Sequence, residues 1–142
     1  NAKSHFFDYG VSEGRTIDSF DESTYLASYT DLLAAYGTDT ASATSHYVNH
    51  GYGEARAVDS FDELGYIASY TDLIDAFGAD STAAVDHYIN FGYGEGRSVT
   101  FDAASYLAAE PNADLRTAFG SDLELAKEHY INFGVNEERA LA

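Results

Sequence analysis

Residues 61–100 read FDELGYIASYTDLIDAFGADSTAAVDHYINFGYGEGRSVT, and the same message stands on either side of them. Residues 20–60 read FDESTYLASYTDLLAAYGTDTASATSHYVNHGYGEARAVDS, and residues 101–142 read FDAASYLAAEPNADLRTAFGSDLELAKEHYINFGVNEERALA. The opening stretch, residues 1–19, holds the back half of a further copy in HFFDYGVSEGRTIDS. A period of about 40 residues means one supersecondary unit stacked on itself, the copies together forming one domain.

Each copy divides into three helical patterns. Asp21, Asp62 and Asp102 precede the first and are expected to cap it by accepting from first-turn N–H groups. The second carries DLLAAYG, DLIDAFG or DLRTAFG, with Thr30 and Thr71 as expected caps and Gly37, Gly78 and Gly120 as left-handed stops. Pro111 and two extra residues lengthen this entry in the third copy. Asp39, Asp80 and Asp122 should cap the third helix, which ends at Gly51, Gly92 and Gly134. On that helix Ala84, His87, Tyr88 and Phe91 recur at i, i+3, i+4 and i+7, the spacing of one apolar face. No alternating β-branched run exists, so the expected fold is all-α: tandem three-helix repeats stacked as a short solenoid or compact superhelical bundle.

Composition narrows function by exclusion. With seven Lys and Arg against 24 Asp and Glu, and a net charge of −17, the chain is unsuited to nucleic acid or anionic membranes. No apolar run is long enough to predict membrane insertion. The absence of Cys removes disulfide and thiolate chemistry. Tyr (12) and Phe (9) supply much of the apolar bulk, which suits thin repeat layers whose ring edges stay near water. Beginning at Asn1 in mid-repeat, the chain reads as a segment of something longer.

The polar residues that recur invite chemical readings. Arg15, Arg56, Arg97 and Arg139 each lie two residues after a Glu. Arg15, Arg56 and Arg97 are expected to reach forward to Asp21, Asp62 and Asp102, tying one repeat to the capped start of the next. Arg139 has no such successor, as if further sequence or another molecule docks there. His5, His46, His87 and His129 sit in the aromatic stripe and are expected to pack there, bonded to a carbonyl or carboxylate. His46 and His50 have the i, i+4 spacing of a metal pair, but no other copy repeats it. Acidic clusters around Asp18 and Asp59 are the weak candidates for calcium, the one ion the composition suggests; D-x-D-x-D and GGxGxD loops are both absent. The GYGEGR stretch at 92–97 follows a helix and lacks Lys, so it does not read as a phosphate loop. No GxSxG or HExxH stands in the chain, and no acid pair is set apart from its repeat copies, so no catalytic residue is expected. Tyr29, Tyr52, Tyr70 and Tyr93 flank turns or helix starts and are the candidate ligand-facing rings, for a glycan or a protein.

The elements HYINFGYGEGR at 87–97 and HYVNHGYGEAR at 46–56, with FD and YLASYTDL before them, resemble a tandem repeat of large bacterial proteins. That repeat often accompanies haemolysin-type calcium-binding and other secreted or surface domains. Family copies often carry N-P-D-L where this chain has YTDL twice and EPNADL once. The resemblance implies an extracellular or cell-surface setting and supplies no catalytic residue. The expected function is a non-catalytic interaction scaffold binding a protein, a glycan or its own copies. A divalent-cation module and a carbohydrate-binding module are the alternatives.

Overall fold

A computed structural model describes residues 20–142. Three helices form in each repeat: α1 (Glu22–Ser28), α2 (Thr30–Tyr36) and α3 (Thr40–His46); α4 (Glu63–Ala68), α5 (Thr71–Phe77) and α6 (Ser81–His87); α7 (Ala103–Ala108), α8 (Ala113–Phe119) and α9 (Leu123–His129). Each third helix runs on into a π-helical turn, at Tyr47–Gly51, Tyr88–Gly92 and Tyr130–Gly134. The fold is all-α, with no strand among the described residues.

Helices of six or seven residues are too short to persist alone, so caps and packing must hold them. Asp21, Asp62 and Asp102 accept from the backbone N–H of Thr24, Gly65 and Ser105 at 2.9, 2.8 and 3.0 Å. Asp39, Asp80 and Asp122 cap the third helices in the same way. The second helices differ from expectation. Thr30 and Thr71 are already inside the helix, and Tyr29 and Tyr70 hold the cap position with no side-chain cap bond. Gly37, Gly78 and Gly120 do end them at φ of +59°, +58° and +64°, a backbone state that favours glycine.

Tyr25, Tyr66 and Tyr106 are fully buried and form the centre of each layer beside Leu26, Ile67 and Leu107. Phe20, Phe61 and Phe101 stack on Tyr47, Tyr88 and Tyr130 with ring centroids 4.8, 4.7 and 4.7 Å apart. Each first helix packs on its own third helix, α1 on α3, α4 on α6 and α7 on α9. Two first helices are also covered by the next repeat: α1 by α6 and its π turn, α4 by α9 and its π turn. That sandwich is the stacking unit of the fold.

Candidate functional surface

The glycine that closes each π turn is explained by one contact. The hydroxyls of Tyr25, Tyr66 and Tyr106 meet Nδ1 of His46, His87 and His129 at 3.1, 3.0 and 3.1 Å. A Cβ built on Gly51, Gly92 or Gly134 would overlap those same hydroxyl oxygens, so only glycine fits. The histidines are thus packed as expected, but their partner is a tyrosine rather than a carbonyl or carboxylate. Burial raises the phenol pKa of all three tyrosines, of Tyr66 and Tyr106 to about 12. They stay neutral throughout the physiological range.

The arginines correct a second expectation. Arg56 does not reach forward to Asp62, nor Arg97 to Asp102. Arg56 donates from Nη1 and Nη2 to both oxygens of Asp31, at 3.0 and 2.8 Å, and from Nε to Glu54 at 2.7 Å. Arg97 forks Asp72 at 3.0 and 2.9 Å and binds Glu95 at 2.8 Å. Arg139 follows the same pattern: it forks Asp114 at 2.9 and 3.0 Å and binds Glu137. The ties therefore close each repeat on itself, fastening the tail after the π turn to the start of the second helix. Hydrogen bonds from the guanidinium hold the carboxyls of Asp31, Asp72 and Asp114 below their ordinary range. His5, Arg15 and Asp18 lie outside the described residues.

Two of the four candidate ligand-facing tyrosines belong to this clamp. Tyr29 and Tyr70 are half-buried, donate to Ala57 O and Ser98 O at 3.1 and 3.0 Å, and lie under Arg56 and Arg97 at 4.8 and 4.7 Å. Asn112 stands in their place in the third repeat, buried, donating to Tyr106 O and Ala140 O at 2.8 Å each. Tyr52 and Tyr93 stay exposed, at 77% and 37%. Phe91 and Phe133, assigned from their spacing to the apolar stripe, are 61% and 57% exposed and lie against the rings of His87 and His129. His50 occupies the same position in the first repeat, its ring centroid 5.5 Å from that of His46. The i+7 position on a π-turned helix is rotated off the buried face, which the ideal 3.6 period does not anticipate.

The carboxylates do not converge on an ion. Asp21, Asp59, Glu63 and Asp86 line a groove where the first and second repeats meet. Among the described residues, though, no three His, Asp or Glu side chains come close enough to hold a metal. At the next junction the corresponding space is filled by Lys127, which donates to Asp62 at 2.9 Å and to Glu124 at 2.5 Å. Burial, with the charges of Asp59, Asp62 and Glu124 adding, raises the Glu63 pKa. No described helix is long and apolar enough to cross a membrane. Compared with known proteins, the chain matches no family model, no curated protein and no solved structure.

Proposed function

We propose that the chain is a non-catalytic repeat scaffold of an extracellular or cell-surface bacterial protein, displaying a periodic aromatic row to a protein or glycan partner. The observation that carries this reading is the division of labour among recurring residues. Asp, Arg, His and buried Tyr hold one another within each repeat, whereas Phe91 and Phe133 lie open to water at one repeat position and Tyr52 and Tyr93 at another two residues on. Flat rings at regular intervals suit stacking on sugar faces or on apolar side chains. The high negative charge keeps such a surface soluble.

The test is binding of the full chain to a panel of polysaccharides and envelope proteins, beside Phe91→Ser and Phe133→Ser. Specific binding that both substitutions weaken at least tenfold is expected. Binding indifferent to them, or turnover of a substrate by the chain itself, overturns the reading.

A further inference from the structure

His46, His87 and His129 occupy one slot of the repeat, but the slot is not lined alike in each copy. The positions around His87 are Phe77, Ala83 and Phe91, and those around His129 are Phe119, Leu125 and Phe133. In the first repeat the same three positions hold Tyr36, Ser42 and His50. Each apolar side chain has become one that carries a donor or an acceptor. The acid of the other copies, Asp86 or Glu128, is Ser45 here. Tyr36, Ser42, Ser45, His46, Asn49 and His50 together line a shallow pocket of about 130 Å³, with no carboxylate among them.

His46 and His50 lie one turn apart, with ring centroids 5.5 Å apart and ring planes inclined at 47°. An ion held by Nε2 of both rings at about 2.1 Å is about 3.2 Å from each ring centre, which sets the centres about 4.5–5.5 Å apart. The pair fits that window, and the exposed His50 is free to close it by a small side-chain rotation. The shared framework sets the spacing, since His87–Phe91 and His129–Phe133 centroids are 5.7 and 5.6 Å apart. Nδ1 of His46 is the nitrogen turned to the Tyr25 hydroxyl, at 3.1 Å, and Nε2 has no hydrogen-bond partner among the described residues. With the Nδ1 proton donated to the tyrosine oxygen, Nε2 offers its lone pair and the ring is held in place. Metal-ligating histidines ordinarily have such a partner behind them. The face is open in every copy: Asn90 and Phe91, and Asn132 and Phe133, are exposed although α6 and α9 are each covered on another side by a first helix.

We propose that His46 and His50 bind a divalent transition metal, Zn²⁺ or Cu²⁺, through two imidazole nitrogens, with water in the remaining positions. Imidazole suits these ions, and a pocket without carboxylates lacks the oxygen cage that Ca²⁺ requires. The pocket has room for the ion and several waters, each of which takes about 30 Å³. A net charge of −17 raises the local concentration of any divalent cation. Two protein ligands leave coordination positions open to a ligand from outside. His50 stands where Phe91 and Phe133 stand in the aromatic row, so the first repeat presents a metal where the others present a ring. Metal binding here does not depend on the display reading, and either can fail alone.

Isothermal titration of Zn²⁺ into the full chain, with excess Ca²⁺ present to occupy surface carboxylates, tests the pair. One zinc per chain is expected, with a melting temperature that rises on adding the ion and tighter binding for Cu²⁺. His50→Phe installs the residue of the other two repeats and so keeps the fold. In that variant zinc affinity should fall at least tenfold and the melting shift should vanish. Phe91→His makes the same pair with His87 and should raise the stoichiometry to two. In the electron paramagnetic resonance of the Cu²⁺ form, two coordinated imidazole nitrogens should become one in His50→Phe. Zinc affinity unmoved by His50→Phe overturns the proposal, because binding then lies elsewhere. So does a stoichiometry that stays at one in Phe91→His, which denies that the shared framework sets the ligand spacing.

Discussion

Replacing Gly92 with alanine should destabilise the protein, although alanine for glycine in a helix ordinarily stabilises by about 1 kcal/mol. The backbone at Gly92 is not left-handed, so conformation alone would permit alanine. The obstacle is the Tyr66 hydroxyl, which the new Cβ would overlap, with the ring Cζ of Tyr66 at 3.0 Å and Cδ2 of Tyr88 at 3.3 Å. Tyr66 cannot step aside. It is fully buried, bonded to His87 at 3.0 Å, and edge-packed on Tyr70 and Tyr88 with centroids 5.7 and 5.2 Å away. Overpacking of this kind costs about 1–3 kcal/mol, and losing the hydroxyl–imidazole bond adds about 1–2 kcal/mol. Against the helix gain, the net is about 1–4 kcal/mol of destabilisation. Tyr66→Phe alone removes that bond and should cost about 1–2 kcal/mol. The double variant no longer has an oxygen in the way, so it should cost about 2 kcal/mol, well below the sum of its singles. Urea titrations followed by circular dichroism measure all four corners of the cycle. A neutral or stabilising Gly92→Ala, or strict additivity, would refute the account of why this glycine recurs.

Three further outcomes are expected. Ala55 and Glu138 hold φ of +56° and +50° where the second repeat has Gly96 at +73°, so Ala55→Gly and Glu138→Gly should each stabilise by about 1 kcal/mol; a loss of melting temperature in both would contradict this. Stability should pass through a maximum at mildly acidic pH. The lowered carboxyl pKa values of Asp31, Asp72 and Asp114 make their contribution complete above the ordinary carboxylate range and lost as pH falls below about 4, whereas protonating Glu63, whose pKa is raised, first relieves its burial and the repulsion around it. Melting temperatures that fall steadily from pH 7, or hold level down to pH 2, would exclude that sign. Asn112→Ala unties Tyr106 O from Ala140 O and should cost about 2 kcal/mol by thermal or urea unfolding, with an effect under about 0.5 kcal/mol counting against the clamp.

Much of the architecture was legible because the chain repeats itself. The six aspartate caps and the three glycine stops follow from residue type and place, and structure and expectation agree on each. The arginine partners were missed although a signal existed. Asp31 to Arg56, Asp72 to Arg97 and Asp114 to Arg139 are each 25 residues apart, unchanged by the two-residue insertion that falls before Asp114. The forward spacing to the next FD varies between six and five residues. A fork that must hold two carboxylate oxygens tolerates no such drift, so the constant interval was the better guide. Tyr25 to His46 and Tyr66 to His87 are 21 apart and Tyr106 to His129 is 23, the same insertion now lying between them. The exposure of Phe91 could not be read at all, because it depends on a π turn that an ideal 3.6 period does not contain, at a glycine held against the Tyr66 hydroxyl on another helix.

In a tandem repeat, residues that recur in every copy are the ones each copy needs in order to fold, and here they are occupied with one another. Function must then come either from what the copies expose in common or from where their surroundings differ. The aromatic row is of the first kind: Phe91 and Phe133 stay open in layers that are otherwise well packed. Lys127 is of the second kind: it reaches across the junction to Asp62, where the other copies carry Val85 and Thr44.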